Sequence, residues 1–298
     1  MIETVNLIKD FGDFRALAGV DMTVPDGCVY GLIGPNGAGK TTLIRHLLGI
    51  YRQDDGSVKL GGEDVWENPA LKARIASIPD DWYFFPQANI RDMKEFYKGI
   101  YPGFAEERYM KLREAFDLDE RRPLRGFSKG MQKQAAFWLA LSCMPDYLIL
   151  DEPVDGLDPV MRRQVWSLMM SDVEERGTTV LVSSHNLREL EDVCDHVGIM
   201  NKGRIVLEHS LSEMQDNTVK LQVVFEEDGE GIVSSIPALH VSRLGRVYTL
   251  IMKMSAQEAV ERLAPYKTLM VEALPLTLEE IFIYEMGGSD YGIKDILV

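Results

Sequence analysis

Cysteine and long apolar runs are both scarce in this sequence of 298 residues. Its 3 cysteines, Cys28, Cys143 and Cys194, are far apart and form none of the Cys/His spacings of metal sites. Each has apolar neighbours, so we expect small buried side chains in a reducing compartment and no disulfide framework. No stretch reaches the roughly 18 apolar residues that cross a bilayer, and the start lacks the pattern of a signal peptide. We therefore expect a cytoplasmic protein, and if it works at a membrane, another chain must supply the span.

Basic residues are also fewer than acidic residues. The chain has 47 Asp and Glu residues against 32 Lys and Arg residues, which gives a formal net charge of -15. Proteins that bind nucleic acids usually carry a basic surface, so we expect no nucleic-acid partner. The acidity is explained most simply by a solvated surface that favours solubility.

Strand and helix patterns alternate over residues 1–215, which predicts an α/β domain with a mainly parallel sheet. The predicted strands are 2–9, 18–24, 28–33, 147–151, 178–183 and a region near 197–208, with a small hairpin at 57–65. The predicted helices are 41–48, 89–101, 105–116, 128–143, 159–176 and 186–194. Residues 216–298 differ and predict a small α+β domain. Its predicted strands are 218–225, 247–253 and 268–274, and its predicted helices are 255–265 and 277–287.

Residues 34–41 read GPNGAGKT and match G-x-x-x-x-G-K-[ST] between a predicted strand and a predicted helix. Glycines let the backbone aim its N–H groups at phosphate oxygens, and the helix N-terminus adds partial positive charge. Lys40 would reach the β- and γ-phosphates, and the Thr41 hydroxyl would bind Mg²⁺. The predicted phosphate-binding residues are Gly34, Asn36, Gly37, Ala38, Gly39, Lys40, Thr41 and Thr42.

Two acidic residues end the apolar strand predicted at 147–151. At the carboxyl edge of a parallel sheet, such side chains face the crevice where these sheets bind ligands. Asp151 would hold Mg²⁺, and Glu152 would orient and polarise an attacking water molecule. An exposed acidic turn is the alternative, but the phosphate loop upstream favours the catalytic interpretation.

Together these motifs resemble the ATP-binding subunit of ABC transporters, and residues 127–131 make the resemblance specific. They read FSKGM, similar to the family signature L-S-G-G-Q, and they precede a predicted helix. Ser128 and Gly130 match the signature, whereas Lys129 and Met131 depart from it. The variant looks like that of bacterial exporters of the bacitracin- and lantibiotic-resistance kind.

Further positions extend the resemblance. Asp158 ends a segment, DGLD, that is similar to the family's D-loop, and His185 occupies the position of the switch histidine that senses the γ-phosphate. Phe11 matches the aromatic residue that stacks on adenine, although a core aromatic beside a turn is the alternative. Asp80 stands where the family has a magnesium-binding glutamine, and its carboxylate could still bind Mg²⁺. The nearest glutamine, Gln87, comes seven residues later.

The resemblance implies a P-loop NTPase domain of the ABC type at 1–215, with a helical subdomain at about 88–145, and an accessory domain at 216–298. It also implies ATP and Mg²⁺ as ligands. Each ATP would lie between one phosphate loop and the signature of a second subunit, which is another copy or a paired homologue. The resemblance also implies a separate transmembrane permease of the exporter kind, which would hold the ATPase at the inner face of the membrane.

Two other functions remain open at this stage. The chain could be a mechanical ATPase that is not coupled to transport, in translation, DNA maintenance or cofactor assembly. Its single ATP-binding domain, the missing coiled-coil heptads and the acidic charge disfavour that interpretation. It could also be a regulatory protein that binds ATP without hydrolysing it, as Asp80, Lys129 and Met131 suggest. The intact Lys40 and Glu152 argue against such a role.

Overall fold

The computed structural model divides into two compact units. One comprises Met1–Asn186 and Val193–Glu208, and the other comprises Leu187–Asp192 and His209–Val298. The predicted domain boundary lies after residue 215, close to this division, and the assignment of separate roles to the two parts stays a prediction. The structure describes residues 1–80, 84–211, 218–226, 229–274, 276–277 and 280.

The order of strands and helices in the first unit is that of an alternating α/β chain. The described strands of the whole chain are β1 (Ile2–Phe11), β2 (Phe14–Val24), β3 (Val29–Ile33), β4 (Asp55–Leu60), β5 (Glu63–Asp64), β6 (Ile75–Ile78), β7 (Tyr147–Asp151), β8 (Thr179–Ser184), β9 (His196–Asn201), β10 (Arg204–Ser210), β11 (Val219–Phe225), β12 (His240–Leu244), β13 (Val247–Met252) and β14 (Thr268–Leu274). The described helices are α1 (Lys40–Leu47), α2 (Pro69–Lys72), α3 (Ile90–Ile100), α4 (Glu106–Phe116), α5 (Lys129–Ser142), α6 (Pro159–Arg176), α7 (Glu230–Val233) and α8 (Ala256–Leu263), with 3₁₀ turns at Leu124–Gly126 and Leu187–Glu189.

A six-stranded sheet in the order β10-β9-β3-β8-β7-β6 forms the centre of the first unit. Strands β9, β3, β8, β7 and β6 run parallel to one another. Every residue of β3, β7 and β8 is buried, as expected when both faces of a parallel sheet are covered. The prediction of a mainly parallel α/β sheet is confirmed.

The register of this sheet brings three strand ends to one edge. Ile33 at the end of β3 pairs with Ser184, and Asp151 at the end of β7 pairs with Ser183. Because these strands are parallel, the segments that follow them leave the sheet on the same side. The phosphate loop, the acidic pair and His185 therefore emerge side by side.

A second sheet of the first unit is antiparallel, in the order β2-β1-β4-β5. A two-residue turn at Gly12 and Asp13 joins β1 to β2, and Phe11 and Phe14 face each other across it. Gly12 has a φ of 60°, which glycine adopts without strain. Strand β2 begins at Phe14, earlier than the predicted 18–24, so both phenylalanines lie at the tip of one hairpin.

Helices α3, α4 and α5 form the predicted helical region. Asn89 and Asp92 close a capping box at the start of α3, and Ser128 caps α5 as its sequence predicts. The indole of Trp138 stacks on Tyr109 with ring centroids 4.8 Å apart and donates a hydrogen bond to the Tyr109 carbonyl at 2.8 Å. This contact fixes α4 against α5.

The second unit contains an antiparallel sheet in the order β12-β13-β11-β14. The predicted strands at 218–225, 247–253 and 268–274 and the helix at 255–265 are confirmed to within two residues at their ends. Strand β12 was not predicted, because all five of its residues are exposed and give no alternating apolar pattern. Most of the predicted helix 277–287 lies outside the described residues.

The helix predicted at 186–194 is wrong. The structure has only the 3₁₀ turn Leu187–Glu189 there, followed by turns. Leu187 and Leu190 are both buried, and a spacing of three residues suits a 3₁₀ turn as well as an α-helix. The apolar spacing alone could not separate the two.

Cys28, Cys143 and Cys194 are all free and buried. Burial raises the pKa of the Cys28 thiol to about 11. Low thiolate content makes such a thiol unreactive, which agrees with the predicted structural role. Among the described residues, no helix is long and apolar enough to cross a membrane.

A buried ion pair connects α4 to α6. The Arg108 Nη2 atom lies 2.9 Å from the Asp172 Oδ1 atom, and Arg176 approaches the other carboxylate oxygen at 3.7 Å. Burial raises the pKa of Asp172, while the two arginines oppose that rise. The ion pair therefore stabilises a charged carboxylate that is buried where α4 packs against α6.

We expect Arg108→Ala to lower the free energy of unfolding by about 3 kcal/mol near neutral pH, because it leaves Asp172 charged and buried. The variant should raise the pKa of Asp172 further, so the folded state binds that proton more tightly than the unfolded state. Stability is then recovered as pH falls, and the deficit should shrink between about pH 7 and pH 5. Urea denaturation at both pH values measures this. Arg121→Ala, on the exposed surface, is the control and should change stability by less than about 0.5 kcal/mol.

Candidate functional site

The loop between β3 and α1 has the backbone geometry of a phosphate cradle. Gly37 and Gly39 have φ values of 81° and 113°, which residues with a side chain rarely adopt. A Cβ atom on Gly34 would lie 2.3 Å from the Met200 carbonyl oxygen on β9. The first turn of α1 contains no acidic residue, so its N–H groups and helix dipole favour a bound anion.

A cleft of about 260 Å³ opens beside this loop. Predicted site residues from three separate segments of the chain line it, together with three residues that were not predicted. The lining residues are Asn36, Gly37, Ala38, Gly39, Lys40, Thr41, Thr42, Asp80 and Glu152, with Phe14, Ala16 and Pro35. The predicted phosphate loop thus faces one space with two of the predicted acidic residues, Asp80 and Glu152.

Lys40 is buried at the base of the cleft. Its Nζ atom donates a hydrogen bond to the Gly34 carbonyl at 2.6 Å and lies 3.4 Å from the Glu152 Oε1 atom. A buried ammonium group is stable only with such partners. The ammonium group is therefore held beside the phosphate loop, where triphosphate oxygens would be stronger hydrogen-bond acceptors than the carbonyl.

Asp151 accepts two short hydrogen bonds. The Thr41 hydroxyl donates to its Oδ2 atom at 2.7 Å, and the Ser183 hydroxyl donates to its Oδ1 atom at 2.5 Å. A hydroxyl and a carboxylate in contact form the kind of hard oxygen donor set that suits Mg²⁺. Ser183 was not predicted, and its position opposite Asp151 in the register of β8 and β7 reveals its role.

The Glu152 carboxylate lies between a lysine and a histidine. The His185 Nδ1 atom is 2.9 Å from the Glu152 Oε2 atom, and the His185 backbone N–H donates to the same oxygen at 3.3 Å. Glu152 has a φ of 48°, in the left-handed region that non-glycine residues seldom occupy. Its side chain is thereby directed at both Lys40 and His185.

Asp155 adds a further acidic group, which the sequence placed in the D-loop-like segment 155–158 without assigning it to the site. Its carboxylate, that of Glu152 and the His185 ring present ligand atoms that all lie within 4.8 Å of one another. Asp155 sits three residues after Glu152 in a loop, so its proximity depends on the backbone path and has no signature in residue spacing. Asp80, in contrast, lines the cleft as its position after β6 predicts.

Three predicted residues lie elsewhere. The Ser128 hydroxyl accepts a hydrogen bond from the Met131 N–H at 3.3 Å and so caps α5. The Asp158 carboxylate accepts hydrogen bonds from the Val160 and Met161 N–H groups at 3.0 and 3.1 Å and so caps α6. Gly130 is in the first turn of α5. Among the described residues, the lining of the cleft includes none of these three, so their role toward a nucleotide stays a prediction.

The two phenylalanines at the tip of the β1–β2 hairpin differ in their surroundings. Phe14 lines the cleft and is largely exposed. Phe11, the predicted adenine platform, is not among the described lining residues, and its ring contacts Tyr51 edge-to-face at 5.6 Å. The role of Phe11 stays a prediction, and Phe14 is a second candidate on the same hairpin.

Comparisons with known proteins agree with this geometry. A family model described as "ABC transporter" matches residues 17–155. The chain is 31% identical over 291 residues to the ABC transporter ATP-binding protein YtrB of Bacillus subtilis, which covers 97% of this chain and 99% of YtrB. It is 32% identical over 233 residues to the bacitracin transport ATP-binding protein BcrA of Enterococcus faecalis, covering 77% and 76% of the two chains. A solved structure of an ATP-binding subunit of an ABC transporter superposes with a TM-score of 0.67 at 26% identity, over 72% of this chain and 92% of that one.

We expect Phe14→Ala to weaken ATP binding roughly tenfold, because stacking of a base on an aromatic ring contributes about 1–3 kcal/mol. Binding of tripolyphosphate, which has no base, should be unchanged. Phe11→Ala is the matched variant from the other side of the turn and should have the smaller effect. Calorimetry with both ligands measures the difference. A large loss confined to Phe11→Ala would instead identify Phe11 as the adenine platform and exclude Phe14.

Proposed function

Because this chain belongs to the ABC transporter family of ATP-binding proteins, we propose that it is the subunit that hydrolyses ATP to power a separate membrane permease. The chain is an ATPase of this family. The observation that carries the proposal is the Glu152 carboxylate, which lies 3.4 Å from the Lys40 ammonium group and 2.9 Å from the His185 ring beside the phosphate loop. One water position next to Glu152 would then face a γ-phosphate held by Lys40.

Each residue has a separate task in this proposal. Lys40 and the N–H groups of residues 37–41 bind the triphosphate and offset its charge. Glu152 orients the attacking water and accepts its proton, while His185 holds the Glu152 carboxylate in place. Mg²⁺, when bound, neutralises charge on the β- and γ-phosphates, and Thr41, Asp151 and Asp80 are the residues that would hold it. Catalysis is then mainly a matter of positioning and charge stabilisation.

The signature residues suggest a second subunit. Ser128 and Gly130 lie at the N-terminus of α5, whose first turn contains no acidic residue and so favours an anion. They are absent from the described lining of their own cleft. We propose that they bind the γ-phosphate of an ATP held by another copy or a paired homologue, so that ATP joins the two subunits.

An apolar patch in the helical region suggests where the permease binds. Phe85 and Phe96 contact each other edge-to-face at 5.0 Å, and Ile100 lies one turn further along α3. All three are about half exposed, although apolar groups of this size are usually buried. The patch begins five residues after Asp80, which lines the cleft. A movement of Asp80 on nucleotide binding could therefore reach a partner bound at the patch. This contact would place the protein at the inner face of the membrane, and the resemblance to BcrA favours export.

We expect Glu152→Gln to lower kcat for ATP hydrolysis at least a hundredfold while ATP still binds, because a general base contributes about 10²–10⁴. With ATP bound but not hydrolysed, the variant should run as a dimer in size-exclusion chromatography, and Lys40→Ala should stay a monomer under the same conditions. Glu107→Gln, an exposed glutamate on α4, is the control. Normal turnover by Glu152→Gln would show that another residue is the base.

We expect Phe96→Ser to reduce co-purification of a multi-span membrane subunit from detergent-solubilised membranes by roughly tenfold, since apolar anchor residues dominate binding energy. The ATPase activity of the purified chain should not change, because Phe96 lies outside the cleft. Met110→Ser, an exposed apolar residue on α4, is the matched control. If the wild-type chain recovers no membrane protein and its ATPase is stimulated by ribosomes or DNA instead, the transport function is wrong.

A further inference from the structure

Lys133 lies in the interior of the first unit, on the signature helix α5. Its side chain is only 4% exposed, although lysine is among the residues that proteins bury least often. The Nζ atom donates hydrogen bonds to the Glu152 and Asp155 backbone carbonyls, each at 2.8 Å. The ammonium group thus holds the two ends of the short segment that begins with the proposed catalytic base.

This contact bears on the strained backbone of Glu152. A φ of 48° persists in a non-glycine residue only where the surroundings hold it. The Glu152 N–H donates to the Ser183 hydroxyl at 3.1 Å, and its carbonyl accepts from Lys133. The N–H and the carbonyl of Glu152 are therefore both fixed by a hydrogen bond. This fixed backbone directs the side chain toward Lys40 and His185.

A second contact joins the same two segments. A Cβ atom on Gly130 would lie 2.9 Å from the Gly156 carbonyl oxygen, so the first turn of α5 packs directly on the loop that follows Glu152. Close packing at Gly130 and the hydrogen bonds of Lys133 therefore join this loop and the start of α5 into one rigid unit. A shift of the signature residues would therefore move the Glu152 backbone.

We propose that Lys133 is a positioning residue for Glu152, which couples the signature end of α5 to the catalytic base of the same chain. The proposal rests on the function proposed above, in which Ser128 and Gly130 act on the nucleotide of the partner while Glu152 acts on the nucleotide of its own chain. When Ser128 and Gly130 bind the ATP of the partner, Lys133 then aligns Glu152 at the ATP of its own chain. The two sites of a dimer are thereby linked by direct contacts within each subunit.

The test is a double-mutant cycle between Lys133→Met and Glu152→Gln. Lys133→Met leaves two buried carbonyls without their donor, and a misplaced base should lower kcat about a hundredfold. The KM for ATP should change less than about threefold, because Lys133 is not among the described residues that line the cleft and holds Glu152 only through its backbone carbonyl. In the Glu152→Gln background, Lys133→Met should cause no further loss, since the group that it positions is already gone.

Two further variants separate positioning from folding. Lys133→Arg keeps several N–H donors and should recover at least about a tenth of wild-type kcat. Lys111→Met removes an exposed lysine from α4 and should leave kcat unchanged. If Lys133→Met does not give a normal thermal unfolding transition, the cycle is run with Lys133→Gln, which keeps a donor group.

Additive losses in the cycle, or equal changes in KM and kcat, would overturn the proposal. The failure of this proposal can be told apart from the failure of the proposed function: normal activity of Lys133→Met beside an inactive Glu152→Gln would refute the positioning role alone. Normal activity of Glu152→Gln would refute the base assignment on which both depend.

Discussion

The two hydrogen bonds accepted by Asp151 are the contacts on which the site depends. They join three elements that are far apart in the sequence: α1 through Thr41, β7 through Asp151 itself, and β8 through Ser183. The parallel register makes this possible, because it places the ends of β3, β7 and β8 at one edge of the sheet. The Thr41 hydrogen bond thereby aligns the phosphate loop with the strand end that carries Asp151.

Buried cations organise the rest of this edge. Lys40 and Lys133 are both almost completely buried, and each is stabilised by backbone carbonyls at hydrogen-bond distance. Lys40 holds the side chain of Glu152, whereas Lys133 holds its backbone. A charge without partners would be costly in these positions, so the two lysines and Glu152 constrain one another. The carboxylate of the proposed base is therefore oriented by the chain's own residues.

The sequence predicted the elements whose signal is local. The apolar runs of β3 and β7, the glycine-rich loop and the serine that caps α5 all appear where their patterns indicated. Ser183, Asp155 and Lys133 were missed because their roles arise from strand register and loop path, which residue spacing does not encode. Phe14 was missed for a related reason: a two-residue turn brings it opposite Phe11, and only the fold shows which ring faces the cleft. The helix at 186–194 failed because a three-residue apolar spacing fits two kinds of helical turn.

In the proposed function, one chain carries two half-sites that act on different nucleotides. The cleft is lined by the phosphate loop, Asp80 and Glu152. Ser128 and Gly130 lie at the start of α5, where Gly130 packs on the loop that follows Glu152. If both halves act on ATP, they must act on different molecules, and a dimer follows from this arrangement. The packing of Gly130 on Gly156 then gives each subunit a rigid connection between the two. Such a connection explains why the signature helix needs a lysine in its buried face: an apolar side chain would fill the space but would hold neither carbonyl.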